Sequence, residues 1–237
     1  MRTPALCAAL LLATACRHQA PAPEPVALTA AQQHLVAVAQ AAASATYTAR
    51  YSFAEPATKD TGTIRIAAAP PQYRVDIATA GKTATFIASR RGTYSCASSR
   101  AATKKPTCLL VARPGEPVPD TFDPGIEHLF SDAVIELAGN PTHYSVAELA
   151  PRVGGGAVPF ARCFRVNRSG SAQPSPVNDP AGFETGDYCF ADQGVLVSAR
   201  VATGTLLLIR LGPAPAAREF TPPAPAAVLP SLPAGPS

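Results

Sequence analysis

Hydrophobic and polar positions follow two periods along this chain, and the switches between them mark its elements. Over residues 29–44, Leu35, Val38, Ala39 and Ala42 recur on one face at helical spacing. Thr29-Ala30-Ala31-Gln32 opens the stretch as a capping box, the hydroxyl and the amide satisfying free backbone donors. From Tyr47 the period becomes two. Tyr47, Ala49, Tyr51 and Phe53 fall on one face and Thr48, Arg50 and Ser52 on the other, which predicts a half-buried strand. Further strands are expected at residues 63–67, 73–77, 82–89, 93–96 and 108–111. The helical period then returns over residues 123–139. Asp123 is placed as N-cap and Pro124 at the first helical position. Ile126, Leu129, Phe130, Ala133, Val134 and Leu137 form the apolar stripe, and Gly139 and Pro141 end it. Strands resume at residues 161–166, 187–191, 195–202 and 205–211, with a long polar loop at 169–185 between the first two.

Strands this close in sequence pair as an antiparallel meander, so the fold class is α+β, with two helices covering one face of an antiparallel sheet. One folded domain is expected over residues 29–221. Residues 16–28 are rich in Pro and Ala and read as a tether. Residues 222–237 have the same composition and read as a disordered tail.

The first fifteen residues add a location. A short start carrying Arg2 precedes an apolar run from Ala5 to Ala15, the layout of a signal peptide. The run is shorter than the roughly 20 apolar residues that span a bilayer. It ends in Leu12-Ala13-Thr14-Ala15-Cys16, which resembles a lipobox with Leu12 one position early. An ordinary signal cut near Ala15 is the alternative. The tether that follows at once favours lipid on Cys16, and with it attachment to the cell membrane on its extracytoplasmic side. Of six cysteines, Cys7 leaves with the signal and Cys16 takes lipid. Cys96, Cys108, Cys163 and Cys189 remain, an even set in an exported chain, and so two disulfides. Three pairings are possible. Cys96 with Cys108 and Cys163 with Cys189 are expected, because each pair joins neighbouring strands across a polar loop. No metal site is expected, since no two cysteines sit at zinc spacing.

Charge and motifs narrow the chemistry. Lys and Arg number 20 against 16 Asp and Glu, and apart from short clusters near Arg90-Arg91 and Lys104-Lys105 they are scattered without a basic helix or a stacking platform, so nucleic acid is not an expected partner. Asp60-Thr61-Gly62 is the aspartic protease tripeptide, but no second copy supplies the paired carboxylate, and a hairpin turn explains it better. No Gly-x-Ser-x-Gly elbow is present. His18, His34, His128 and His143 are not at ligand spacing. Gly154-Gly155-Gly156 lacks the Lys and Ser/Thr of a phosphate loop. No enzyme activity and no cofactor are expected.

Several strings together carry a resemblance. They are Tyr47-Thr48-Ala49-Arg50-Tyr51 after the first helix, Pro71-Gln72-Tyr73-Arg74-Val75-Asp76-Ile77, Phe86-Ile87-Ala88, and Gly92-Thr93-Tyr94-Ser95-Cys96. Later come Ala161-Arg162-Cys163-Phe164-Arg165-Val166 and Tyr188-Cys189-Phe190-Ala191-Asp192-Gln193-Gly194-Val195-Leu196. In this order they resemble the LolA-like lipoprotein and lipid-carrier superfamily, in particular LppX/LprG-type lipoproteins. The resemblance implies a curved antiparallel half-barrel wrapped around two or more helices, with an apolar cavity that holds acyl chains, and no catalysis. By alternation the cavity candidates are Tyr47, Ala49, Tyr51, Tyr73, Val75 and Ile77 on strands and Leu129, Phe130 and Val134 on the second helix. The expected partner is a lipid or other hydrophobic ligand. The alternative is a module that binds or senses another envelope protein.

Overall fold

The capping box forms as its residue types require. The Gln32 amide N–H donates to the Thr29 hydroxyl at 3.3 Å, and the Thr29 N–H donates to the Gln32 side-chain oxygen at 2.8 Å. This starts α1 (Ala30–Ser44). The same Gln32 side chain is buried and donates through Nε2 to the Pro141 and Tyr144 carbonyls at 2.9 and 3.0 Å. A local cap is thereby also a long-range tie. The structure is a computed structural model that describes residues 26–57, 59–99, 105–122, 129–152, 161–168 and 183–228. The Cys16 region, the expected Asp123–Pro124 start of the second helix and the triple-glycine loop lie outside those residues.

Two meanders make one sheet. The first is β1 (Tyr47–Glu55), β2 (Asp60–Ala69), β3 (Gln72–Thr79), β4 (Lys82–Ser89), β5 (Gly92–Ser99) and β6 (Thr107–Ala112). Then come α2 (Leu129–Gly139) and the second meander, β7 (Tyr144–Arg152), β8 (Ala161–Arg168), β9 (Gly186–Phe190), β10 (Leu196–Val201) and β11 (Gly204–Gly212). A short 3-10 turn (Ala217–Phe220) and β12 (Ala226–Val228) follow. The order across the sheet is β12-β6-β5-β4-β3-β2-β1-β11-β10-β9-β8-β7. The meanders meet where β1 pairs antiparallel with β11, from Thr48 opposite Gly212 to Ala54 opposite Thr205. β1 to β11 pair antiparallel with one another, and β12 pairs parallel with β6. The α+β half-barrel expectation stands: one large, curved, unclosed sheet with two helices.

Both helices pack on the inner face. Leu35 and Ala39 of α1 and Ala133, Val134 and Leu137 of α2 share a core with Ala49, Tyr51, Phe164, Val166, Phe190 and Leu208 from the sheet. Gly194 fixes the spacing. It has φ 79°, and a Cβ there would lie 2.4 Å from both the Val38 carbonyl oxygen and the Ala42 nitrogen, so the β9–β10 turn abuts the α1 backbone directly.

Three expectations need correction. Residues 144–152 form β7, which the pattern did not announce, because Ala, Glu and Pro dilute its alternation. Asp60 begins β2 opposite Glu55 instead of sitting in the turn, and Gly62 is where a Cβ would strike the Phe53 ring and the Ala78 carbonyl. The domain does not stop at Thr221. Residues 213–225 run across the outer face of the first meander as a strap, and β12 then pairs with β6, so residues 222–228 of the expected disordered tail are part of the fold. Phe220 anchors the strap, buried against Ala67 and Ile87.

The cysteine pairing is as expected. Cys96 bonds Cys108 and Cys163 bonds Cys189, each joining residues directly opposite on adjacent strands of the outer face. The loops closed span 12 and 26 residues. Each closure stabilises by about 3 kcal/mol in the chain-entropy account. Non-reducing peptide mapping should therefore recover only these two linkages. Replacing Cys163 and Cys189 together by Ala should lower stability in a urea melt by about that amount, and a loss near zero would show that the bridge does not constrain the unfolded chain.

Candidate functional site

Cross-strand partners share a face, so the register sorts the candidate residues. Ala49 is opposite Ile66, Ile66 opposite Val75, and Val75 opposite Phe86. That row lies on the inner face. Tyr51, Ile64 and Ile77 make the next row, and Tyr47, Ala68 and Tyr73 flank the first row on its other side. The structure thus brings all six strand candidates onto one face, but in two settings. Ala49 and Tyr51, 3% and 1% exposed, sit within the helix-covered core together with Val134, and Tyr47 packs against it. Tyr73, Val75 and Ile77 lie beyond that core. There Val75 is buried and Tyr73 stacks on Phe86 at 5.7 Å between ring centroids. Leu129 and Phe130 begin α2, and their side chains lie outside the described residues.

Large side chains crowd the described core beneath the helices. Leu35, Leu137, Phe164, Val166 and Phe190 are each 0% exposed. Phe183 meets Tyr188 edge-on at 5.4 Å, and Phe164 meets Phe190 at 6.4 Å. At one corner of this core, Glu136 faces His143 at 3.7 Å and Arg168 at 3.6 Å, and the Arg168 guanidinium lies 5.8 Å from the Tyr144 ring centroid. His34 of α1 pairs with Glu148 of β7 at 3.1 Å on the surface. These contacts hold α1 to β7, and α2 to β8 and to the turn that precedes β7. Among the described residues no three of His, Cys, Asp and Glu converge as metal ligands do.

The outer face carries a second arrangement that periodicity could not reveal. Asp76 of β3 accepts from Arg74 at 2.9 Å, from Arg65 at 3.4 Å and from the Thr85 hydroxyl at 2.7 Å. Glu219 of the strap accepts from Arg65 through its carboxylate, and its carbonyl accepts from Arg74 at 3.2 Å. The ion pairs and Phe220 together clamp the strap to the sheet. Where the strap continues to β12 it leaves a groove of about 870 Å³, lined by Arg90, Arg91, Tyr94, Leu110, Arg218 and Phe220, with Gln72, Ser89 and residues 221–226 completing it. The only sequence signal for this groove was the Arg90-Arg91 pair. Nothing in the pattern placed a Pro-rich segment beside it.

No family model matches the chain, and no curated protein matches it. Among solved structures it is similar to the complex of MucA and MucB from Pseudomonas aeruginosa, with TM-score 0.50 and 12% identity over 82% of this chain and 61% of the other. It is also similar to MucB, with TM-score 0.48 and 11% identity over 82% of this chain and 63% of the other. MucB in complex with MucA(peri) gives TM-score 0.46 and 11% identity over 81% and 59%. The chain spans less than two thirds of the length of each of these neighbours. At such identity the likeness is one of fold, and the first of the three matches the half-barrel.

The buried core has an alkaline signature. Burial pushes the Tyr47 and Tyr188 hydroxyls above the ordinary tyrosine range, and burial followed by the nearby Tyr47 pushes Tyr51 well above it. A phenol whose folded pKa exceeds its unfolded value contributes stability below the unfolded pKa, near 10, that is lost as pH rises toward the folded value. Three of the six tyrosines should therefore ionise only as the fold is lost. Ultraviolet tyrosine titration followed alongside near-ultraviolet circular dichroism checks this. All six ionising near pH 10 with the fold intact would contradict it.

Proposed function

We propose that the protein is a non-catalytic interaction module of the cell envelope. In this reading lipid on Cys16 holds it at the extracytoplasmic face of the membrane, and its half-barrel binds a partner protein. The observation that carries the reading is the likeness of the half-barrel to the complex of MucA and MucB, in which a protein of this fold is described with a protein partner. Among the described residues beneath α1 and α2, Leu35, Tyr51, Phe164 and Phe190 pack as a buried core, which favours a partner held on a surface over a chain held inside.

A second reading, carriage of a hydrophobic ligand, is favoured by a separate observation. Tyr73, Val75 and Phe86 extend an apolar strip along the inner face beyond the helix-covered core. It is also what the LolA-like resemblance implies. Each methylene buried there would contribute about 0.8 kcal/mol.

Ala49 separates the two readings. In a filled core Ala49→Phe overpacks and destabilises by about 1–3 kcal/mol. The expected result is that loss in a urea melt, with no saturable binding of a neutral fluorescent acylglycerol by either the wild type or the variant. Unchanged stability with acylglycerol bound by the wild type and displaced in Ala49→Phe would instead establish the carrier. The anchor has its own test. No described helix is long and apolar enough to cross a membrane. Cys16→Ala should move the processed protein from the membrane fraction to the soluble one, as read by sedimentation and immunoblot. Continued sedimentation with membranes would mean that something other than lipid on Cys16 holds it.

A further inference from the structure

We propose that the groove between the C-terminal strap and the β4–β5 turn binds an amphiphilic organic anion, a phosphate or carboxylate head on an apolar body. The site is on the outer face, away from the inner core, and is independent of what the half-barrel's inner face holds.

Charge is the first observation. Along the strap the cations near Asp76 and Glu219 are neutralised, Arg65 by both carboxylates and Arg74 by Asp76. Farther along, Arg90, Arg91 and Arg218 line one groove, and among the described residues none has a carboxylate partner. Three planar guanidinium groups around one opening suit a bidentate oxyanion.

The turn that presents two of them is held in place. Ser89 Oγ accepts the Arg91 N–H at 3.2 Å and donates to the Gly92 carbonyl at 3.0 Å, and the Tyr94 hydroxyl donates to the Arg91 carbonyl at 3.4 Å. Gly92 has φ 124°, and a Cβ there would strike the Ala112 carbonyl and the Leu110 side chain, so the turn lies tight against β6. Arg218 comes from the strap, which Phe220 and Glu219 fix to the sheet. The backbone that carries the three cations is thus fixed, which lowers the ordering cost of binding.

The lining between the cations has an apolar wall of Tyr94, Leu110, Phe220, Pro222, Pro223 and Pro225, with Gln72, Ser89 and Thr221 as its polar members. Pro222, Pro223 and Pro225 bring no N–H, so this stretch of wall is poor in backbone donors and favours an apolar body over a second polar group. A volume of about 870 Å³ is within the range of small-molecule sites. The ligand class follows from the combination of a charged rim and an apolar lining.

Dodecyl phosphate below its micelle concentration is the probe, titrated calorimetrically into the purified full chain. Inorganic phosphate supplies the head alone, and dodecyl maltoside the same chain without charge. Saturable binding of dodecyl phosphate is expected, with both controls roughly tenfold weaker or more, as loss of the apolar or the charge-assisted contacts requires. The triple variant Arg90→Gln, Arg91→Gln, Arg218→Gln should weaken it by a similar factor. These side chains are exposed, so its thermal melt should match the wild type. Dodecyl phosphate binding that survives in the triple variant would overturn the site. Maltoside binding as tight as the phosphate ester, or inorganic phosphate binding as tight, would overturn the ligand class.

Discussion

The pairing of β1 with β11 is the constraint on which the rest of the structure depends. Each meander is local in sequence and could form its own ladder. Only the β1–β11 ladder makes them one sheet, and it joins residues from opposite ends of the described chain. It also sets the inner face. Tyr51 opposite Leu208 and Ala49 opposite Leu211 bring apolar positions of both meanders under α1 and α2. A bulge lies in this ladder between Arg50 and Tyr51, opposite a step from Arg210 to Leu208. Without it the two strands would place apolar residues on opposite faces beyond that point. Closing such a distant pair costs loop entropy before any contact offsets it.

The two faces of the sheet use different physics. The inner face is held by volume, with aromatic and aliphatic side chains at full burial beneath two helices. The outer face is held by clips: two cross-strand disulfides, the Asp76–Glu219 ion-pair network and a strap seated by one phenylalanine. Ion pairs half open to water contribute little each. Here they act with Phe220 and the β12 ladder, so the strap is held at several points along its length.

What could be read from residues alone divides by the range of the interaction. The α1 cap was legible because it is written within four residues. The disulfides were legible because each bridges consecutive cysteines on neighbouring strands. The inner-face register was legible from alternation at Tyr47, Ala49 and Tyr51. Whether that face encloses space or side chains was not, because it depends on what α1, α2 and β9 bring from elsewhere. β7 was missed because it is an edge strand with Ala147, Glu148 and Pro151 in positions that dilute a strand pattern, and edges tolerate such residues. β12 was missed because Ala226-Ala227-Val228 sits in a Pro-rich stretch whose composition argued for disorder, while its strand identity comes entirely from β6.

The disulfides have a consequence for how the chain acquires its covalent form. Each bridge joins cysteines that are consecutive in the chain after Cys16, and each lies wholly within one meander. A polypeptide that emerges amino end first presents Cys96 and Cys108 to one another before Cys163 has appeared. An oxidant acting on thiols in order of arrival therefore makes the native bridges directly, and no reshuffling step has to correct them. The β1–β11 seam, which carries no covalent link, can then close last, between two meanders already locked.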